Sequence, residues 1–313
     1  MILAKMKSDK KNSDLLRKAL EGYPGEVRWK EPIAPYTSLK IGGLAEVMVF
    51  PKSISEVGLL MERISRDHLS CFILGGGSNL LVKDGGIKGV VLHLSYLNRI
   101  EERGPQALVA EGGVSFPRLA TTAMEKGLSG LEFAVGIPGT VGGAVVMNAG
   151  IPGEETESVL STVAFVDAAG GLHHYPKERV HFGYRSTHLP KGVVVSASFH
   201  LTPAPIERID EKLKQLLKRR RETQPLSFPS VGSVFKNPPE GFAGEIIEAC
   251  GLKGTRIGGA QISERHGNFI INRGSAKAEE VLALIRKIRA RVAEARGIEL
   301  ELEVKVVGVD PEN

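Results

Sequence analysis

The sequence predicts an α+β protein of more than one domain, and three observations carry that prediction. At 313 residues the chain is too long for one compact core. Helices with a single apolar stripe are interspersed with short strands along its length. Its 37 glycines gather in two apolar stretches, where backbone and not side chain has a task. Composition is that of a soluble globular protein, 42% hydrophobic and 25% charged. The net charge of +5 suits an anionic small molecule and does not by itself argue for nucleic acid.

The opening run "MILAKMKSDKKNSDLL" has a three-residue apolar stretch followed by lysines, so no signal peptide is expected. No stretch approaches the ~20 apolar residues of a membrane span. The two cysteines, Cys71 and Cys250, lie far apart and offer neither metal-ligand spacing nor a disulfide framework. These features together point to a cytoplasmic chain that does not insert in membranes. Cys71, in an apolar strand, reads as a buried inert thiol.

A helix begins at Ser53, where "SISE" puts Glu56 three residues after the cap and Val57, Leu60, Met61 and Ile64 form one stripe. A strand at Cys71–Leu74 leads into three glycines, then Leu80–Val82, a turn at Asp84-Gly85-Gly86 and the strand "GVVLHL". Ser115 caps a second helix, with Pro117 in its first turn and Gly127 at its end. "TVAFVDAAGGLHHY" reads as a hairpin and "GVVVSASFHL" as a strand.

"TPAPIERID" marks a domain boundary, and a helix follows from about Ile206 to Glu222. Its basic end, "KRRRE", reads as a solvated terminus complementing the helix dipole, with a nucleic-acid or phosphate contact as the alternative. The last helix is expected to be capped by Ser275, to bury Val281, Leu284, Ile285, Ile288 and Val292, and to stop at Gly297. The terminal "IELELEVKVV" alternates cleanly. It predicts one strand over 298–307 with Ile298, Leu300, Leu302, Val304 and Val306 on one face and Glu299, Glu301, Glu303 and Lys305 on the other.

Neither usual glycine motif fits the first loop. A Rossmann fingerprint requires a third glycine where Leu80 stands and a helix where a turn and strand follow, and a P-loop requires Gly-Lys-Ser/Thr. The remaining reading is an anion cradle: Gly75, Gly76 and Gly77 bring the backbone close, and Ser78 and Asn79 add donors. A tight structural turn is the alternative. The second cluster, "VGIPGTVGGAVVMNAG", is nearly free of charge, which suits contact with something flat and large in a crevice between subdomains. Close packing of strands in a bulged sheet is its alternative.

In order, "LGGGSNLLVKDGGIKGVVL", "GIPGTVGGAVVMNAG", "FGYRSTHLP", "GSVFKNP" and "HGNFIIN" resemble the UDP-N-acetylenolpyruvoylglucosamine reductase family, from about Tyr36 to Gly308. The first two also resemble the wider vanillyl-alcohol oxidase superfamily. The resemblance implies a two-subdomain FAD-binding domain of the PCMH type plus a C-terminal α/β substrate-binding domain. The implied division is an N-terminal helical segment (1–30), FAD subdomains at 31–100 and 101–204, and a substrate domain at 205–313 whose last strand returns toward the flavin. It implies FAD held by Gly75, Gly76, Gly77, Ser78 and Asn79 at the pyrophosphate, and by Gly136, Ile137, Gly139, Thr140, Gly143 and Asn148 along the rest. The loop has no histidine for a covalent link, so non-covalent FAD is expected, with NADPH as reductant.

The reaction so implied reduces UDP-N-acetylglucosamine enolpyruvate to UDP-N-acetylmuramate for peptidoglycan. Hydride reaches the enolpyruvyl methylene, so the site needs a cation or acid near the carboxylate and a proton donor on the other face. The resemblance assigns these parts to Arg185, Glu303 and Ser233. Periodicity alone leaves Glu299, Glu301 and Glu303 equivalent; the family's acid before the "VKVVG" run selects Glu303. Lys236 and Asn237 match family positions near the substrate phosphates, with Tyr184 as a candidate neighbour and His266 as a candidate for the uridine end. Only 47 residues separate Arg185 from Ser233, which resembles the short form lacking a tyrosine-bearing insertion. The rival readings are an FAD-dependent alcohol or sugar oxidase of the same superfamily, and a non-catalytic nucleotide-binding module.

Overall fold

The computed structural model describes residues 12–311, so the targeting-segment expectation, read on the first sixteen residues, lies mostly outside the described residues. The chain forms two compact units. The first comprises Met1–Lys30, Glu46–Gly76 and Lys88–Leu216, and the second Glu31–Ala45, Gly77–Ile87 and Leu217–Asn313.

The first unit contains a four-stranded sheet in the order Glu26–Pro32, Leu44–Phe50, Ile87–His93, Cys71–Leu74. Its last two strands are parallel, with Cys71 opposite Val90. A second, antiparallel sheet runs Leu172–Pro176, Leu160–Asp167, Gly192–His200, Ala107–Glu111, Ile100–Glu102. The hairpin read in "TVAFVDAAGGLHHY" is its first pair, with Val163 opposite Tyr175.

The helix Ile54–Arg66 follows the capping arithmetic. Ser53 Oγ accepts the Glu56 N–H at 3.2 Å, and the Glu56 carboxylate reaches back to the Lys52 N–H at 2.7 Å. Its stripe, Val57, Leu60, Met61 and Ile64, is buried in one cluster with Val47, Val49, Val90 and Leu92 of the first sheet and Val166 and Val193 of the second. Each such side chain contributes ~1.5–3 kcal/mol gross. The interior strand Leu160–Asp167 is apolar on both faces for that reason. Ala164 and Val166 belong to this cluster, whereas Val163 and Phe165 belong to a second one around Phe116, Phe133 and Phe199. Burial pushes the Cys71 thiol up to about 12, in keeping with an inert group.

The second unit holds a four-stranded antiparallel sheet in the order Ser230–Ser233, Phe269–Asn272, Ala260–Ile262, Arg256–Ile257. The helix Ala278–Arg296 buries Val281, Leu284, Ile285, Ile288 and Val292 with Val231, Phe235, Ile262 and Ile270. It ends at Gly297, whose φ of +67° is the left-handed cap conformation glycine favours.

Two expectations are corrected here. Ser275 does not cap that helix, which starts two residues later with Lys277 at the N-cap position. The exposed amides are met instead by Asp84, whose two carboxylate oxygens accept from Ala278 N–H (3.0 Å) and Glu279 N–H (3.2 Å), while Glu280 accepts from Lys277 N–H (3.0 Å). The terminal segment is not one strand. Leu302 bridges to Phe235, after which the chain changes partner and only Lys305–Val307 pairs, in parallel, with Leu80–Val82. An alternating sequence guarantees two faces. It does not guarantee one neighbour throughout.

Candidate active site

In the first unit the two glycine stretches meet. A Cβ at Gly76 would lie 2.6 Å from Gly139 Cα, and one at Gly75 would lie 2.9 Å from Thr140 Oγ1. Gly76 is therefore required by the approach of one backbone to the other, whereas Gly75 is crowded by a side-chain hydroxyl. Gly143 differs: its Cβ would meet only Thr140 Oγ1, at an ordinary 3.6 Å. The second stretch is neither a linker nor strand. It folds as a 3-10 turn at Glu132–Gly136 and a short helix at Val141–Val146, with Thr140 Oγ1 accepting the Gly143 N–H. Gly136 and Ile137 close the 3-10 turn and are half-buried. The result is a strip of side-chain-free main chain with one hydroxyl beside it, which fits the pyrophosphate of a dinucleotide cofactor.

Arg185 sits in the two-residue turn between the strands His181–Gly183 and Ser186–His188. Its φ of +53° is the left-handed region that a long side chain rarely adopts, and such positions gather where geometry serves function. Nη2 donates to the Gly150 carbonyl at 2.9 Å, Glu155 Oε1 lies 3.8 Å from Nη1, and the guanidinium lies 5.1 Å from the ring centre of exposed Tyr184.

Asn148, also at positive φ (+41°), is 1% exposed. Its Nδ2 donates to Glu155 Oε2 (3.0 Å) and the Gly183 carbonyl (3.4 Å), and its Oδ1 accepts the Glu157 N–H (3.0 Å). It thus ties the turn that carries Arg185 to the segment that faces it. Glu155 has no distinguishing signal in the sequence beyond its place in a common acidic pair.

In the second unit Ser233 ends the strand Ser230–Ser233. The register slips between Ser230, opposite Ile271, and Ser233, opposite Phe269, which is one extra residue and hence a bulge. Gly232, with φ +77° and open space where a Cβ would stand, is the residue that allows it. The next residue, Val234, offers its carbonyl to the N–H groups of Glu303 (2.9 Å) and Val304 (3.3 Å). Two residues seventy positions apart in the chain are thereby brought onto adjacent backbones.

The same crossing separates the three glutamates that periodicity leaves equivalent. Glu299 and Glu301 are exposed; Glu303 is half-buried at the point where the chain changes partner. Glu301 forms an ion pair with Lys236 at 2.5 Å. Asn79 holds the crossing from the other side, donating Nδ2 to the Glu303 carbonyl (3.1 Å) and accepting the Lys305 N–H on its own carbonyl (3.0 Å). Gly77, with φ +59°, is bare because a Cβ there would strike the Tyr36 carbonyl; Ser78 follows it, half-buried. Asn237 is exposed and its Oδ1 accepts the Ala243 N–H, fixing the start of the helix Ala243–Ala249. His266 is packed on Phe269 with ring centres 4.7 Å apart, and burial, with Lys253 adding to it, lowers its pKa.

The comparisons with known proteins bear on this arrangement. A family profile described as "UDP-N-acetylenolpyruvoylglucosamine reductase, C-terminal domain" matches residues 224–307, and one for an FAD binding domain matches residues 45–175. The UDP-N-acetylenolpyruvoylglucosamine reductase of Bacillus pumilus is 41% identical over 299 residues, covering 94% of this chain and 98% of its own. The chain belongs to the UDP-N-acetylenolpyruvoylglucosamine reductase family. The Bacillus subtilis reductase is 43% identical over 91% of this chain and 95% of its own. The crystal structure of the reductase from Thermus caldophilus superposes with a TM-score of 0.77 at 37% identity, over 91% of this chain and 99% of that one. A chitooligosaccharide oxidase, at 17% identity and a TM-score of 0.50 over 61% of this chain, shares the fold alone. The reductase family's α+β architecture of FAD-binding domain and C-terminal domain is thus the architecture of this chain. Among the described residues no helix is long and apolar enough to cross a membrane.

Proposed function

We propose that the chain reduces UDP-N-acetylglucosamine enolpyruvate to UDP-N-acetylmuramate, in the cytoplasm, as a step of peptidoglycan precursor synthesis. The observation that carries this reading is the crossing at Val234, which sets Ser233 and Glu303 on neighbouring backbones and leaves Glu301 in solvent. With FAD bound, the site would have a hydride carrier between NADPH and the methylene carbon of the enolpyruvyl ether. Gly75, Gly76, Gly139, Thr140 and Gly143 of the first unit would hold it at the pyrophosphate.

As hydride adds, electron density moves onto the adjoining carbon and into the carboxylate. The fixed charge of Arg185 stabilises it, because a guanidinium stays protonated and its planar fork matches a carboxylate. Glu303 supplies the acid that the reaction needs. Ser233 gives its hydroxyl proton to the carbon beside the carboxylate, so the double bond gains one hydride and one proton and becomes the lactyl ether. Tyr184, Lys236, Asn237 and His266 contact the nucleotide sugar. With its substrate diphosphate bound, Lys236 exchanges the exposed Glu301 for a phosphate.

The oxidase reading rests on a likeness that shares the fold alone and covers less of the chain. Stopped-flow of the two half-reactions tests the proposal. In Ser233→Ala, flavin reduction by NADPH stays at the wild-type rate while reoxidation by the enolpyruvyl substrate falls on the order of 10²–10⁴-fold. Fast reoxidation in that variant refutes the role of Ser233, and a protein that does not bind FAD refutes the enzyme.

A further inference from the structure

The bulged strand that carries Ser233 stops pairing with its neighbour at the Ser233–Phe269 pair. Beyond that point the main chain must still be held, because Val234 and Phe235 are buried and every buried peptide group needs a partner. For Phe235 the partner is a side chain. Asn268, 3% exposed, donates Nδ2 to the Phe235 carbonyl at 2.8 Å and accepts the Phe235 N–H on Oδ1 at 2.9 Å, while its own carbonyl accepts the Val234 N–H at 2.9 Å. A carboxamide is a peptide group on a stem, with one face that donates and one that accepts, so it extends the ladder where the strand has ended. Aspartate lacks the donor and would set an anion against the Phe235 carbonyl. Alanine would leave both groups of Phe235 buried and unmatched.

The clamp continues on both sides. Asn268 N–H donates to His266 Nδ1 at 3.2 Å, and the His266 ring lies on Phe269 with Gly244 beneath it, where a Cβ would come within 2.8 Å of the ring. On the far side the Val234 carbonyl receives the Glu303 and Val304 N–H groups, and Phe235 bridges to Leu302. One buried amide thus fixes the residues that directly follow Ser233 and, through them, the backbone of Glu303.

We propose that Asn268 is a positioning residue for proton delivery, setting Ser233 and Glu303 at their working separation while itself touching neither substrate nor cofactor. This rests on the roles given to Ser233 and Glu303 above. A misplacement of about 1 Å at a reacting group costs on the order of 10²-fold in rate. The variants are therefore Asn268→Asp, which preserves shape, and Asn268→Ala, both purified with flavin bound and read by stopped-flow beside Ser233→Ala. The expected result is flavin reduction by NADPH within about 2-fold of wild type, and reoxidation by the enolpyruvyl substrate slowed on the order of 10–10²-fold. In a Ser233→Ala background, Asn268→Ala should add less than about 2-fold, because the proton donor it positions is gone.

Equal slowing of both half-reactions, wild-type reoxidation in both variants, or full additivity with Ser233→Ala overturns the proposal. So does failure of both variants to give folded, flavin-loaded protein, which makes the residue structural. If Ser233→Ala itself reoxidises at the wild-type rate, the functional reading fails, and that outcome is separate from any behaviour of Asn268.

Discussion

Gly76 and Gly143 are both bare, and the structure gives them different reasons. Replacing Gly76 by alanine sets a carbon 2.6 Å from Gly139 Cα and 3.1 Å from Gly139 C, both backbone atoms with no rotamer to escape into. Carbon contacts settle near ~3.5–4.0 Å, so the two loops must separate by about 1 Å. Overpacking of that kind costs ~1–3 kcal/mol, against ~0.4–1 kcal/mol gained by stiffening the unfolded chain. The net loss of ~1–2 kcal/mol lowers the unfolding midpoint by roughly 2–8 °C in a domain of this size. Gly143→Ala meets only Thr140 Oγ1 at 3.6 Å and lies within the helix Val141–Val146, so it should hold or raise stability by up to ~1 kcal/mol.

Flavin separates the two further. If Gly143 is bare for the cofactor, a methyl there occupies space the cofactor needs, and Gly143→Ala loses flavin with no loss of apoprotein stability. Gly76→Ala loses both. The assay is thermal unfolding of the apoproteins alongside flavin absorbance after gel filtration. A Gly143→Ala protein that retains flavin as wild type does, or a Gly76→Ala protein that unfolds at the wild-type temperature, refutes this division of labour.

Three further outcomes are expected. Glu303→Gln should slow reoxidation at least about tenfold, while Glu301→Gln, which loses only an exposed pair with Lys236, stays within about threefold; reversed rates in stopped-flow would transfer the acid to Glu301. Asp84→Ala removes both acceptors at the start of the helix Ala278–Arg296 and should cost ~1–2 kcal/mol, read as a lower midpoint in urea; no change would mean the helix start is met by solvent. Burial beside Phe50, with Arg28 adding to it, pushes the His93 imidazole down to about 4 from an unfolded value near ~6.5. Between those values the unfolded chain binds the extra proton, so stability is full above about pH 6.5 and is lost as pH falls toward 4, by at most ~3 kcal/mol. Urea midpoints measured across that window should fall less in His93→Gln than in wild type.

The stripes of the helices Ile54–Arg66 and Ala278–Arg296 were legible because a helix sorts its own residues by a fixed local period, whatever lies opposite. The hairpin Leu160–Pro176 was legible because its turn residues are adjacent to the strands they join. The cap by Asp84 was not: it comes from 194 residues away, and nothing local distinguishes it from any other turn aspartate. The terminal strand was misread for a related reason. Alternation states which side chains share a face, while the change of partner at Glu303 depends on where Val234 and Asn79 lie.

The site divides the same way. Sequence order, in five short motifs, was enough to determine the family and with it the chemistry, because those residue types at those spacings occur together for one purpose. Only the fold decided which glutamate leaves solvent, and that a buried asparagine continues a strand that has ended. Side-chain type and local period are properties of the chain; burial and partnership belong to surfaces that exist only once distant segments have met.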